Sequence, residues 1–347
     1  MSRLRWGLML AAPLAMFALA GCVQETGSDS GSQPAPGATS GTGAAPTSSG
    51  AASGKRLKVA VVPKGTTHEF WQTIKAGAEA AAAELNCEVL WNGPKAETNI
   101  QDQIDIINGY ASQGVDGVVM AATDKNALVK TVEDLEAKKI PVVTIDSGID
   151  PDKSRSFIAT DNVAAAALAA KEMGKLLGGK GKVAVLSFLK GAGTSDEREK
   201  GFLQGIKEFP GIEIVGVEYT DSDSAKAADK METILTQHSD LAGVFASNEP
   251  NVVGAAGVLD TRKLVGKVKL VGFDASKSEL EFLERGAVQA IVVQDPFKMG
   301  YEGVKAIARI VRGEGNVDKR IDTGATVVRK DNMTDAKIHK LLFPLEK

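Results

Sequence analysis

The feature that most constrains this chain is a pattern that runs once and then starts again. From Leu57, an apolar run to Val62 leads through a polar loop into helical periodicity, with Phe70, Ile74, Ala78 and Leu85 on one face. Residues 181–209 (GKVAVLSFLKGAGTSDEREKGFLQGIKEF) repeat that layout. LAGVFASNE (241–249) echoes VDGVVMAATD (115–124), and VKLVGFDAS (268–276) echoes IPVVTIDSG (140–148). Buried strands resemble one another, so one echo means little. Three in the same order argue for two similar lobes, roughly 57–160 and 161–293. Runs such as VVTI and KVAVL, apolar without alternation, are what strands covered on both faces of a parallel sheet look like. The expected fold class is therefore α/β, two doubly wound parallel-sheet lobes. The helix Phe297–Arg312 and a last strand Thr326–Arg329 are shared between the lobes, and chain crossing back makes a multi-strand hinge. A length of 347 residues suits two domains.

Ahead of this body, Arg3 and Arg5 precede an apolar run from Trp6 to Ala20, too short to span a bilayer comfortably and flanked as a secretory signal peptide is. Residues 1–22 are thus expected to direct export. Leu19-Ala20-Gly21-Cys22 reads plainly as a cleavage site with a chance cysteine, but it looks like the lipobox of bacterial lipoproteins, in which Cys22 would be lipidated. Residues 23–56 hold almost no large apolar side chain up to about residue 54 and are expected to form a disordered tether. The only membrane attachment expected is then the N-terminal lipid. Cys87 is left without a partner and reads as a small apolar residue near a helix end.

A formal charge of −3 and a pI near 5.8 argue against a nucleic-acid partner. Three histidines without HxH or HExxH spacing make a metal site improbable. There is no nucleophile elbow, CxxC pair or Walker loop, and GGKGK (178–182) reads as a turn before a strand. No enzyme activity, cofactor or metal is expected.

Ligands of open parallel sheets bind beyond the carboxyl ends of the strands. Lying there are Lys64 and His68, Thr123 and Asp124, Asp146 and Ser147, then Ser195 and Arg198, Asn248 and Glu249, Asp274, and Gln294. Taken singly, Asp146 or Asp274 serves as readily as a helix cap. Arg198 stands in the first turns of a helix, unfavourable for the macrodipole, with Glu197 and Glu199 as alternative partners. Phe70 and Trp71 point about a hundred degrees apart on their helix, so one fills the core and the other is left to border the cleft; an aromatic face packs well on the C–H face of a sugar.

In HEFWQTIKAGA, VVTIDSG with FIATDN, GAGTSDEREKGF, GVFASNE, LVGFDAS and VVQDPFKMGYEGV, residues 57 to about 329 resemble the ribose-binding-like branch of type I periplasmic binding proteins. The resemblance implies a Venus-flytrap fold with hinge crossings near Thr160-Asp161, Gln294-Asp295 and Thr323-Gly324, placing 57–160 with 294–323 in one lobe and 161–293 with 324–347 in the other. It implies ligand binding by Lys64, His68, Phe70, Trp71, Asp146, Ser147, Arg198, Asn248, Asp274 and Gln294. Ribose binders of the family carry an arginine after the first aspartate, where this chain has Ser147, and many relatives place a second-lobe aromatic where it has Ser222. Lys64 can replace the lost cation, as in some ketose binders, so ribose itself is not implied. The expected protein is a monomeric, lipid-anchored, extracytoplasmic receptor delivering a monosaccharide or polyol to an ABC transporter permease. The alternatives are a ligand-presenting sensor for a chemoreceptor or kinase, or a binder of a furanone or nucleoside. A DNA-binding repressor of this fold needs a helix-turn-helix where the signal peptide and tether stand.

Overall fold

A computed structural model describes residues 55–344 and Glu346; Cys22, the signal-peptide region and residues 23–54 of the tether lie outside them. In chain order the first lobe is entered by β1 (Leu57–Val62), α1 (Glu69–Glu84), β2 (Cys87–Trp91), α2 (Ile100–Ser112), β3 (Gly117–Met120), α3 (Val129–Ala137), β4 (Val142–Ile145) and β5 (Ser156–Ala159). Next come α4 (Asn162–Leu176), β6 (Lys180–Ser187), α5 (Gly193–Gly205), β7 (Gly211–Tyr219), α6 (Ser224–Gln237), β8 (Leu241–Ala246), α7 (Glu249–Thr261), β9 (Lys269–Phe273), α8 (Lys277–Glu284) and β10 (Ala290–Val293). The chain ends with α9 (Pro296–Arg312), β11 (Arg320–Asp322), β12 (Thr326–Val328) and α10 (Ala336–Leu342).

The continuous apolar runs become interior strands because both faces of each sheet are covered. β3 and β4 are buried at every residue, and each sheet has one apolar cluster on either side. The two six-stranded sheets have matching orders, β11-β5-β4-β3-β1-β2 and β12-β10-β9-β8-β6-β7. The likeness fails only at the last strand: β11 runs parallel to β5, whereas β12 runs antiparallel to β10. Strands β2 and β7, which periodicity did not reveal, are the edge strands opposite the hinge, and their half-exposed residues explain the weak apolar signal.

Three segments pass between the sheets: β5 to α4, β10 to α9, and β11 to β12. Asp161 and Asp295 follow the first two crossings, and their side chains cap α4 and α9 by accepting the Ala164 and Lys298 amides; a cap of this kind contributes about 1 kcal/mol. Thr160 and Thr323 meet Oγ1 to Oγ1 at 3.2 Å, so the first and third crossings are tied together. After the second crossing α9 lies on α1 at backbone contact. A Cβ on Gly77 would stand 2.0 Å from the Phe297 carbonyl oxygen, and one on Gly300 2.0 Å from that of Ile74. Only glycine allows that approach. The Gly178 and Gly179 turn, with φ of 61° and 79°, leads into β6 as GGKGK suggested. Cys87 is buried at the start of β2 and free.

Candidate functional site

The tips of β4 and β9 end alike. Asp146 and Asp274 follow them with φ of 54° and 82°, and their amides bond the carbonyls of the neighbouring strands, at Ile158 and Val292. Neither caps the next helix in the chain: α8 is capped by Ser276, with Glu279 completing a capping box. A positive φ on a non-glycine residue is uncommon and worth explaining. Here it turns both carboxylates onto one small space between the lobes, lined also by Lys64, His68, Phe70, Trp71, Glu97, Phe188, Thr194, Arg198, Asn248, Glu249 and Pro250.

Lys64, carried by the loop after β1, is buried. Its Nζ lies 3.1 Å from Asp146 Oδ2 and donates across the cleft to Thr194 Oγ1 at 3.0 Å. Asp146 Oδ2 itself has no aligned hydrogen bond among the described residues. Burial, the largest influence, raises the Asp146 pKa against the pull of Lys64 and Arg198. On the first turn of α1, Trp71 is the inward ring, and its Nε1 donates to Glu97 Oε1 at 3.0 Å; Phe70 is half-buried and meets it edge to face at 4.9 Å. His68 Nδ1 lies 3.5 Å from the same Glu97 oxygen. Burial alone would lower His68, but Glu97, Glu249 and Asp274 together raise it above the usual value of 6.5. Glu97 is fully buried, which opposes ionisation, yet Lys64, His68 and the Trp71 bond hold it down at about 2.

The second lobe answers with Arg198. Its Nε donates to Asn162 Oδ1 at 2.9 Å and its Nη1 to the Ser247 carbonyl at 2.8 Å. Its guanidinium sits 3.8 Å from the Phe273 ring centroid and 3.7 Å from Asp274 Oδ2. Arg198 thus turns to Asp274, while Glu197 accepts from Asn162 and Glu199 from Tyr219. Asp274 is held on both oxygens, by Gln294 Nε2 at 2.7 Å and the Glu249 amide at 3.1 Å. Asn248 caps α7 and donates to Ser222 Oγ at 2.9 Å.

Of the ten residues expected to bind ligand, eight line the cavity and two do not. Gln294 stands behind Asp274. Ser147 is buried with its Oγ 3.7 Å from where a Cβ on Gly193 would be. Thr123, Asp124 and Ser195 also lie off the cavity: Gln103 holds Thr123, Asp124 accepts the Asn126 and Ala127 amides, and Ser195 ties its own loop to Leu189. Sequence reasoning missed Glu97, Phe188, Thr194 and Pro250. Phe188 follows β6 at the place where Lys64's loop follows β1, and it supplies a second-lobe ring that Ser222 does not. Thr194 was visible beside Arg198 in GAGTSDER; Glu97, in an irregular loop between β2 and α2, carried no periodic signal.

The lobes also clasp at the rim of the cavity. The Glu249 carboxylate accepts the Glu69 and Phe70 amides at 3.2 and 3.1 Å, at the start of α1, and the Glu69 carboxylate accepts the Lys277 amide at 3.0 Å, at the start of α8. Each lobe gives a carboxylate to a helix N-terminus of the other, where unpaired amides and the macrodipole favour negative charge.

Two matched lobes, a three-segment hinge and a polar cavity between strand tips define a two-lobed clamp for a small ligand. Residues 59–315 match the periplasmic binding protein domain, and the chain belongs to that family, with the type I fold. It is 30% identical over 71% of its length, and 78% of the relative's, to the ribose import binding protein RbsB of Bacillus subtilis. A carbohydrate transporter solute-binding protein from Agrobacterium radiobacter, solved with D-arabinose, superposes with a TM-score of 0.80 at 34% identity, covering 83% of this chain and 99% of that one. An ABC transporter solute-binding protein from Agrobacterium vitis, solved with D-fucose, gives 0.79 at 35% identity over 82% and 99%.

Proposed function

We propose that this protein is an extracytoplasmic solute receptor that captures a monosaccharide or similar polyol between its lobes and delivers it to an ABC import permease. In this reading Cys22 carries the lipid that tethers it, the protein acts as a monomer, and no chemistry is done on the ligand. The observation that carries the reading is the facing of Asp146 and Asp274 across one cavity that also holds the Phe70, Trp71 and Phe188 rings. Carboxylates accept hydroxyl hydrogens, Lys64, Arg198 and Asn248 donate to oxygens, and ring faces cover C–H surfaces. Gln294 serves as a support by orienting Asp274. Closing removes the ligand from water and presents both lobe surfaces to a permease in one arrangement. Relatives that bind ribose, arabinose or fucose support the ligand class.

The test is a thermal-shift screen of residues 55–347 against pentoses, hexoses, ketoses, polyols, nucleosides and furanones, since a ligand bound only by the folded form raises apparent stability by mass action. A sugar or polyol is expected to raise the melting temperature with one-to-one stoichiometry. A shift only with nucleosides or furanones, or with nothing in the panel, rejects the reading.

A further inference from the structure

Glu97 stands outside every expectation drawn from the sequence, yet it sits where the first lobe's polar groups meet. One of its oxygens takes both the Trp71 Nε1 bond at 3.0 Å and the His68 Nδ1 contact at 3.5 Å. Trp71 is the buried ring of α1, and His68 is the residue immediately before that helix. Fixing both from a single carboxylate sets the angle at which the helix start enters the cavity. With Nδ1 on the Glu97 side at 3.5 Å, Nε2 is the nitrogen on the other edge of this cavity-lining ring, and an imidazolium can only donate.

We propose that Glu97 is a positioning residue for specificity: through His68 and Trp71 it makes the first-lobe wall a fixed hydrogen-bond donor, selecting ligands that place an acceptor, such as a ring or carbonyl oxygen, opposite His68. The surroundings are consistent. His68 is faced by Glu97 from the loop between β2 and α2, by Glu249 from the start of α7 and by Asp274 from the tip of β9, all of which favour its cation. Glu97 is faced by Lys64 from the loop after β1 as well as by His68. Neutral His68 would instead present Nε2 as an acceptor or donor according to tautomer, and the wall would lose its single polarity.

The specificity part of this inference rests on the proposed sugar-binding function; the positioning of His68 does not, and the experiment separates them. In ligand-free protein, NMR titration of the three histidines, with His238→Gln and His339→Gln used for assignment, should give His68 a midpoint above the ordinary histidine value. Glu97→Gln, which keeps an acceptor for Trp71 Nε1 but removes the charge, should move that midpoint down, and Glu97→Asp should largely restore it. An unmoved midpoint overturns the proposal whatever the protein binds. For any of D-ribose, D-arabinose or D-fucose that wild type binds, Glu97→Gln should weaken binding about tenfold, the size of one charge-assisted hydrogen bond. It should also remove the loss of wild-type affinity as pH rises through the His68 midpoint. Unchanged affinity and pH profile overturn the specificity role. If wild type binds none of the three and no other sugar or polyol of the screen, the functional reading and the specificity role fall together, and the midpoint shift alone decides the positioning role.

Discussion

Asp146 and Asp274 occupy the same place in two lobes built on the same strand order, with the same unusual backbone, and yet they are held in opposite ways. Asp274 has both oxygens bonded, by Gln294 and the Glu249 amide, and Arg198 beside it. Asp146 has the Lys64 ammonium near one oxygen and that oxygen without an aligned bond among the described residues. The fold repeats because strand burial and helix covering are the same problem solved twice. The sites differ because the loops around the tips do not take part in that packing and are free to carry different chemistry. Asp274 is preorganised; Asp146 is strained by burial and gains most from a ligand donor.

That contrast is open to attack by one substitution on each side. Asp274→Asn should have the largest effect on binding, more than about 100-fold, because asparagine offers one acceptor where Gln294 and the Glu249 amide use two, and the buried Arg198 loses this carboxylate; breaking a buried pair costs about 3–5 kcal/mol. It should also lower the melting temperature of the ligand-free protein. Asp146→Asn should weaken binding by about 10- to 100-fold through one lost charge-assisted contact, yet leave the ligand-free protein as stable or more so, because Lys64 keeps Glu97 as its counter-charge. Calorimetric titration and melting of both variants check this; equal destabilisation would show the two aspartates to be equivalent after all.

The sequence carried the repeated architecture well because it lies in runs such as VVMAA and VVTI that burial on both faces enforces, and because Asp146, Arg198, Asn248 and Asp274 sit at their ends. It carried Phe70 and Trp71 as a pair, and the helical hundred-degree turn told that only one could be core. What it could not carry was Glu97, whose role comes from a loop folding back onto α1, or the withdrawal of Ser147 from the cavity, which depends on how Asp146 turns the chain at φ of 54°. The edge strands β2 and β7 were missed for a related reason: one flank lacks a partner, so their composition is mixed.

The next effect in size concerns the reciprocal clasp, which tests whether the lobes differ in closing as they do in binding. Glu249 is raised chiefly by burial, with the bond from Phe70 and the charge of His68 opposing. Its charged form is the one that best accepts two amides at the start of α1, so acid should weaken closure as Glu249 takes up a proton. Glu249→Gln should weaken ligand affinity about fivefold at neutral pH, within the 0.3–2 kcal/mol such helix-terminus charges contribute, and flatten the acid limb of the affinity profile. Glu69→Gln, at an exposed position, should do less. If Glu249→Gln binds as wild type does and scattering shows an unchanged ligand-bound radius, the clasp plays no part in closing.

The smallest effect expected is on stability alone and falls behind the second-lobe site. Glu279 is fully buried; its Oε2 accepts the Ser276 amide at 2.6 Å and its Oε1 has no hydrogen-bond partner among the described residues. Burial first, then the charges of Glu249 and Asp274, raise its pKa well above 4.5. A carboxyl whose folded value lies above its unfolded one favours folding fully at acid pH and loses that contribution as pH rises from the ordinary glutamate value towards the folded one. Glu279→Gln keeps an acceptor for Ser276 and abolishes that loss. Its melting temperature should therefore match wild type near pH 4 and exceed it by about 2–4 °C at pH 8, the response of a domain of this size to about 1 kcal/mol. An equal or lower value at pH 8 would mean that the carboxylate is compensated where it stands, and that the second lobe carries its three neighbouring carboxyl groups without cost.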